Sequence, residues 1–170
     1  MTRPRRLVLV ALALVLVAAG AAGWTGWSWY AAAHDDSLRF SQTRDEVLRS
    51  AEQAIQNLNT LDHRTADSGV DLWIASTTGP LHDQLTQGRE NFLAQIRKAK
   101  TVTTAKILDG AVTELDDRAG KASVIVAIEL TVTPAAGRAT TKRERLAGQL
   151  TRTGDVWKLS SIGQVPVSAA

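Results

Sequence analysis

An unbroken apolar run from Leu7 to Gly23 constrains this chain more than any other feature, because it fixes the environment of the N-terminal region. The run holds five Leu and four Val, which together favour insertion into a bilayer by about 4 kcal/mol. At a rise of about 1.5 Å per residue, Leu7 to Trp24 spans roughly 26 Å and Leu7 to Trp29 about 34 Å, which brackets a hydrocarbon core of ~30 Å. The sequence therefore predicts a transmembrane helix over residues 7–33.

The residues on either side of the run predict its orientation. They form two groups, the basic Arg3, Arg5 and Arg6 before it and the aromatic Trp24, Trp27, Trp29 and Tyr30 after it. Arginine favours the cytoplasmic side, and Trp and Tyr favour the membrane–water interface. We therefore predict a single-pass protein of the cell membrane with a cytoplasmic tail (residues 1–6), a membrane anchor (7–33) made by these flanking residues and the run, and an extracytoplasmic domain (34–170).

A cleaved export signal is the alternative for the same segment. Ala31-Ala32-Ala33 has the small side chains of a cleavage site, and the basic start resembles a signal n-region. The apolar run is longer than the usual signal core of about 7–15 residues, and an aromatic belt belongs to a span that is kept. Both interpretations place the working domain outside the cytoplasm.

The composition excludes several classes of function. Of 20 Lys and Arg, three precede the apolar run, and the remaining 17 balance the 17 Asp and Glu, so the domain after it carries no formal net charge. Nucleic-acid binding needs a basic excess that this domain lacks. The chain has no cysteine, which excludes disulfides, thiolate zinc sites and cysteine nucleophiles.

The hydrophobic period changes once along the chain, from helical to alternating. Helical spacing covers residues 38–58, 67–76 and 80–100, although Thr43 and Glu46 form a capping-box pattern that leaves open a fresh helix start. Alternation covers 102–115, 122–132, 139–152 and 156–165, with a bulge expected near Asp109-Gly110. Short turns between these strands favour antiparallel pairing. The class is therefore α+β, with about three helices packed on a curved four-stranded antiparallel meander.

Large side chains identify the expected core. Trp157 and Leu159 in the last strand and Trp73 in the second helix are the predicted anchors. In the strand 122–132, alternation puts Val124, Val126 and Ile128 on one face, which we expect to be buried.

Candidate chemistry is sparse. The histidines His34, His63 and His82 lack the ligand spacing of a metal site, so we predict no metal, no cofactor and no catalytic residue. Asp62-His63 is the best general-base pair, but a polar connection between helices explains both residues equally well. Glu129 either lines a pocket or pairs with Arg143 or Arg145 on a neighbouring strand.

A charge run on the third strand offers the one candidate docking patch. Lys142, Arg143 and Arg145 surround Glu144 in a strand expected near a sheet edge. Charges on an edge strand commonly prevent aggregation. The functional alternative is a surface patch that binds an acidic partner protein or anionic lipid headgroups.

The order of these features resembles the mammalian-cell-entry (Mce) associated membrane proteins of actinobacteria. The residues that carry the resemblance are the Arg-flanked span, the helix Arg44 to Ala54, the polar Asp62-His63-Arg64, Thr77-Thr78-Gly79, the strand Val124 to Leu130, and Trp157. The resemblance implies a membrane-anchored, cone-shaped domain like nuclear transport factor 2, a fold also found in the periplasmic scaffold domain of type IV secretion systems. It implies an accessory role beside Mce-type lipid or sterol importers in the cell envelope, and it brings no catalytic motif.

Two function classes follow. The first is a non-enzymatic scaffold whose partners are membrane or envelope proteins, Mce components among them. The alternative is an exported domain that binds a small hydrophobic ligand or acts as an enzyme. A scaffold should have a sheet interior filled by aliphatic side chains, whereas an enzyme or carrier should enclose a pocket of roughly 300 Å³ or more with convergent polar groups.

Overall fold

The computed structural model of the chain describes the backbone of residues 3–165 and the side chains of residues 15–31 and 37–165. The side chains of Arg3, Arg5, Arg6 and His34, on which sequence predictions rest, lie outside the described residues. Among the residues whose side chains are described, no helix is both long enough and apolar enough to span a membrane.

Three α-helices come first along the chain. They are α1 (Arg3–Asn59), α2 (Ala66–Ala75) and α3 (Gly79–Ala99), and a short 3-10 turn (His63–Thr65) precedes α2. The α1 helix continues through Thr43, so the capping-box pattern there does not start a new helix. The chain forms two compact units, Met1–Gln42 and Thr43–Ala170, and the second contains the whole sheet.

The strands β1 (Leu61–Asp62), β2 (Val102–Asp116), β3 (Lys121–Thr133), β4 (Thr140–Thr153) and β5 (Val156–Gln164) form one antiparallel sheet in the order β1-β2-β3-β4-β5. The α+β class and the meander of the last four strands are confirmed. The prediction of four strands is wrong, because Leu61 and Asp62 pair with Thr103 and Val102. Two residues are too few to produce a period in the sequence, so only the tertiary position of β2 makes them a strand.

A bulge bends β2 where the sequence predicts it. The pairing with β3 shifts between Ile107 and Asp109, which leaves Leu108 as the extra residue. A second shift lies between Val112 and Glu114. Bulges raise the local twist of a strand, and the sheet curves toward the helices that cover one of its faces.

The alternation predicted for β3 is confirmed by burial. Its inner residues Val124, Val126 and Ile128 are at most 1% exposed, whereas Ile125 between them is 38% exposed. We call the face that carries Val124 the inner face and the face that carries Ile125 the outer face. Trp157 and Leu159 are buried on the inner face as predicted, at 3% and 0% exposure.

Helices α2 and α3 pack on each other around a second, smaller cluster. Val70 and Leu93 are buried there, and Trp73 meets Phe92 edge to face with 6.5 Å between ring centroids. Trp73 is only half-buried, and its indole Nε1 donates a hydrogen bond of 2.8 Å to the Asn57 carbonyl at the end of α1. The Trp73 prediction thus holds for position but not for depth of burial.

Ion pairs join the exposed sides of α2 and α3. The guanidinium of Arg89 lies 2.9 Å from Asp71, and that of Arg97 lies 2.6 Å from Asp67. The hydrogen bonds that Arg89 donates to the Asp71 carboxylate raise the pKa of Arg89. The pairs orient the two helices, although exposed pairs of this kind contribute little to stability.

Candidate functional site

The interior of the curved sheet is filled by the C-terminal part of α1. Val47, Ala51 and Ile55 on that helix have no exposed surface. They belong to one cluster with residues of β3, β4 and β5, namely Val124, Val126, Ile128, Leu146, Leu150, Trp157 and Leu159. The space that a cone-shaped domain can offer to a ligand is therefore occupied by aliphatic side chains.

Two glycines permit this close approach of α1. A Cβ on Gly148 of β4 would lie 3.0 Å from Leu159, 3.2 Å from Val124 and 3.6 Å from Ile55 of α1. A Cβ on Gly110 of β2 would lie 2.7 Å from the carboxylate of Glu52. Since neither site has room for a larger residue without movement, the glycines let the helix seat against the sheet.

A polar recess of about 420 Å³ lies where the ends of β2, β3 and β4 meet. Its polar groups bond to one another: Ser123 donates to Glu114 at 3.2 Å, and Ser160 donates to the Gln149 carbonyl at 3.1 Å. Lys121 beside them donates to Thr151 at 2.9 Å. The recess reaches the size of a ligand site, but its residues include no histidine, and its Ser123 and Glu114 side chains are hydrogen-bonded to each other.

The Asp62-His63 pair has a structural role. Asp62 accepts hydrogen bonds from the Arg64 guanidinium at 2.6 Å and from the Arg64 backbone N–H at 2.9 Å, which caps the 3-10 turn. These two bonds lower the pKa of Asp62 to about 2. His63 Nδ1 lies 3.6 Å from the carboxylate, beyond hydrogen-bond distance, and is buried without a partner. Because Arg64 holds the carboxylate, Asp62 does not orient the imidazole as a general base requires.

Glu129 pairs across strands rather than lining a pocket. It lies on the outer face of β3, and Arg143 Nε donates to its carboxylate at 3.0 Å. Of the two alternatives predicted from the sequence, a pocket residue or a cross-strand ion pair, Glu129 follows the second. Among the residues described, no three His, Cys, Asp or Glu side chains form a group that could hold a metal ion.

The predicted docking patch is divided between the two faces of β4. Arg143 and Arg145 lie on the outer face, whereas Lys142 shares the inner face with Glu144 and forms an ion pair with it. The three cations do not share one face, because successive strand residues point to opposite faces, and the docking role stays a prediction. Lys142 and Arg143 each form an ion pair. Arg145 has no carboxylate within ion-pair distance among the described side chains.

The edge predicted for this strand is only partly present. β4 lies inside the sheet, between β3 and β5, and its pairing with β5 begins at Leu146. Residues 140–144 therefore pair with β3 alone among the strands that the structure describes.

The comparison with known families decides where this chain belongs. The profile of the uncharacterized protein Rv1363c/MT1408-like family matches residues 6–166. The chain is a member of the Rv1363c/MT1408-like family. The match covers the apolar run and the whole sheet domain. No curated protein sequence matches the chain.

Several solved structures are similar to this Rv1363c/MT1408-like protein, and two of those that follow are type IV secretion system proteins. The periplasmic domain of DotI has a TM-score of 0.59 and 18% identity, over 71% of this chain and 94% of that one. An IcmL-like type IV secretion system protein of Legionella pneumophila has a TM-score of 0.58 and 12% identity, over 75% and 95%. CagV of Helicobacter pylori, a VirB8 homolog, has a TM-score of 0.54 and 13% identity, over 73% and 99%.

These similarities establish the fold of the Rv1363c/MT1408-like chain and nothing finer. At such identities they show an α+β domain like VirB8 and nuclear transport factor 2, which confirms the fold expected from the resemblance. The association with Mce importers stays a prediction.

The aromatic residues of the predicted anchor are described, and all four are exposed. The exposed fractions are 78% for Trp24, 75% for Trp27, 80% for Trp29 and 59% for Tyr30. With about 100° per helical residue, Trp24, Trp27 and Trp29 lie at roughly 0°, 300° and 140° around the axis. The rings therefore encircle α1 instead of forming one stripe along it.

Sequence reasoning missed the outer face of the sheet as a feature. Leu108 is 43% exposed beside Arg143 and Arg145, with which it lines a recess of about 320 Å³. The bulge expected near Asp109-Gly110 was the available signal, because an extra residue in a strand turns a side chain toward the face it would otherwise avoid.

Proposed function

We propose that this protein is a non-enzymatic accessory subunit, anchored in the cell membrane by its N-terminal helix, that supports an assembly of envelope proteins. The observation that carries the proposal is the filled interior of the sheet. A domain whose ligand space is occupied by α1 acts through its surfaces, and surfaces bind other macromolecules.

The anchor is supported by the sequence of α1 and by its side-chain hydrogen bonds. Between Leu7 and Tyr30 the polar side chains are Thr25 and Ser28. Thr25 donates to the Ala21 carbonyl at 2.8 Å, and Ser28 donates to the Thr25 carbonyl at 3.0 Å. Hydroxyls satisfied within their own helix suit a hydrocarbon environment. A ring of indoles around the helix suits the interface at its end.

The accessory role is supported by the fold. The similar IcmL-like protein of Legionella pneumophila and CagV of Helicobacter pylori are type IV secretion system proteins. By analogy of fold, this domain positions partners at the outer side of the membrane. Within this role we propose an Mce-type lipid or sterol importer as the assembly, on the resemblance given by the order of motifs.

The test is recovery of partners from cross-linked envelopes. Intact protein should retrieve importer components, and the double variant Leu12→Arg, Val15→Arg should lose both membrane association and partners, since each Arg costs about 2.5–3.5 kcal/mol at a helix centre. Leu38→Arg, an exposed leucine of α1 beyond the apolar run, is the matched control and should behave as wild type. Retrieval of no envelope partner by the intact chain would refute the proposal.

The polar recess of about 420 Å³ is the observation that favours the alternative, a cleaved and exported domain with a ligand. The two functions differ in the mature N-terminus. Mass spectrometry of the cell-associated protein should show the residues before Ala31 under our proposal. A mature chain that begins near Ala33, together with ligand-dependent stabilisation abolished by Glu114→Ala, would favour the alternative.

A further inference from the structure

The two edges of the sheet differ in how their free backbone groups are protected. Along β2, the Ala105 N–H donates to Thr60 Oγ1 at 3.2 Å, and the Ala105 carbonyl accepts from Gln56 Nε2 at 3.2 Å. Two bulges and charged side chains also interrupt this edge, those of Lys106, Asp109, Glu114 and Asp116. Bulges and charges are the usual means by which an edge strand avoids pairing with another strand.

On the opposite edge, β5 is covered at one residue by another segment of the chain. Thr77 pairs with Leu159 in parallel. The Leu159 N–H donates to the Ser76 carbonyl at 3.2 Å, and the Thr78 N–H donates to the Leu159 carbonyl at 2.9 Å. The chain then enters α3 at Gly79, so this added segment ends at Thr78. The β5 edge therefore already accepts a strand beside it at one point.

The last part of β5 has unpaired backbone groups. The Val165 N–H donates to the Arg145 carbonyl at 3.0 Å, so the backbone of Val165 faces β4. Neighbouring strand residues direct their backbone groups to opposite sides, so Gly163 also faces β4, whereas Ile162 and Gln164 face away from it. Among the described residues, none forms a hydrogen bond with the N–H or carbonyl of Ile162 or Gln164 on that side.

The sequence of this stretch does not protect it. Residues 160–164, which we call the open edge, are Ser-Ser-Ile-Gly-Gln and contain neither a charge nor a proline. The stretch begins with a bulge at Ser160, where the register with β4 shifts by one residue. Unpaired N–H and C=O groups on a strand of this kind form hydrogen bonds with an extended segment that lies beside them.

A recess of about 410 Å³ lies between the open edge and the start of α3. Its lining includes Leu81 and Gln84 of α3, Gln149 of β4, and Ser161 and Ile162 of β5. Leu81 and Ile162 pack partly against the main core, whereas Gln84, Gln149 and Ser161 are exposed. Successive side chains of a strand point to opposite sides. The recess therefore suits an extended segment in which apolar and polar residues alternate.

Charge does not select the occupant of this recess. Lys121 lines it, but Glu114 and Asp116 lie beside Lys121 in the neighbouring polar recess. The Lys121 ammonium also donates to Thr151 at 2.9 Å. Recognition at the open edge therefore depends on backbone hydrogen bonds and on the apolar wall, which any uncharged extended segment can satisfy.

We propose that an extended segment of a partner protein adds to the sheet at the open edge, paired with Ile162 and Gln164. The inference rests on the proposed function, which requires partner proteins, and it states how one of them binds. A single segment suits this stretch because Ser76–Thr78 closes it at one end. The β5 edge of a second copy would bring its own Ser76–Thr78 and α3 into the contact.

Selection of peptides on the full chain in detergent micelles tests the inference. The probe is a display library of random short peptides. Selected peptides should alternate apolar and polar residues and should bind wild type and Gln164→Ala equally. Gln164→Pro should weaken binding about tenfold, because proline has no N–H to donate. Proline is tolerated on an edge strand where the N–H faces outward, so both variants should keep the wild-type melting temperature.

Hydrogen exchange gives a readout that needs no variant. In the free protein the amides of Ile162 and Gln164 should exchange fast and that of Gly163 slowly, because only the Gly163 amide faces β4. A bound peptide should slow exchange at Ile162 and Gln164 by about tenfold or more and leave Gly163 unchanged. Slow exchange at Ile162 and Gln164 in the free protein would show that the edge is already covered and would overturn the inference.

Three other outcomes would also contradict a partner segment at the open edge. They are selection of no peptide, peptide binding that is indifferent to Gln164→Pro, and a wild-type dimer that Gln164→Pro dissociates, which would assign the edge to a second copy. Retrieval of envelope proteins separates the two proposals. If partners are retrieved but no peptide binds the edge, the inference fails and the proposed function stands. If peptides bind the edge but no envelope partner is retrieved, the proposed function fails.

Discussion

The two faces of the sheet are built from alternate residues of the same strands, yet they differ in what they leave available. On β3, Val126 has no exposed surface, while its neighbour Ile125 is 38% exposed. The inner face packs on α1 through the main core cluster, whereas Ala111, Ile125 and Ala147 at the centre of the outer face are exposed. The comparison teaches that stability is concentrated on one face, so interactions with other molecules fall to the other.

The largest expected effect comes from placing a charge on each face. Val126→Asp buries a carboxylate among aliphatic side chains and should destabilise the domain by more than about 4 kcal/mol, enough to prevent folding. Ile125→Asp, one residue away on the outer face, should cost less than about 1 kcal/mol. Denaturant unfolding followed by circular dichroism measures both. Equal losses would show that the faces do not differ in packing.

Glycine substitutions sharpen the same comparison. Gly148→Val should cost about 1–3 kcal/mol, because its side chain would meet Leu159 and Val124 on the inner face. Gly163→Val on the outer face is the matched control, since a Cβ there meets nothing within 4 Å. It should be neutral or slightly stabilising, as valine favours strands. Thermal unfolding of the pair gives the difference, and a stable Gly148→Val protein would contradict the close packing of Leu159 and Val124 around Gly148.

Acid unfolding tests a contact at the rim of the sheet. The Arg64 hydrogen bonds lower the folded-state pKa of Asp62 to about 2, below its ordinary value of 3.8. The stabilisation is therefore complete above about pH 4 and is lost as the pH falls through about 2. Asp62→Asn should flatten this part of the stability profile, whereas Asp155→Asn, in the exposed β4–β5 turn, should leave it intact. If Asp62→Asn left the dependence of stability on pH unchanged, the capping role of Asp62 would be contradicted.

The smallest expected effect concerns the Glu129–Arg143 pair on the outer face. A double-mutant cycle with Glu129→Gln and Arg143→Gln should give a coupling below about 1 kcal/mol, because water and salt screen exposed charges. The coupling should shrink further in high salt. A value well above this range would mean that the outer face is desolvated in the sample, as association through this face would cause.

Regular periodicity made much of the fold predictable from sequence. The alternation at Val124, Val126 and Ile128 identified the inner face of β3, and the irregularity at Asp109-Gly110 identified the bulge. Both predictions rest on the fixed two-residue repeat of strands. Two predictions were less accurate. The two-residue strand β1 was missed, and Lys142 was grouped with Arg143 although their side chains point to opposite faces of the sheet.

The sequence by itself determined the apolar N-terminal run, the α+β class and the order of helices before strands, because hydrophobic period is a property of adjacent residues. Tertiary structure alone decided that α1 fills the sheet and that Asp109, Ala127 and Arg145 form one row. These relations join residues far apart in the chain, and they arise only when pairing register and close packing bring them together.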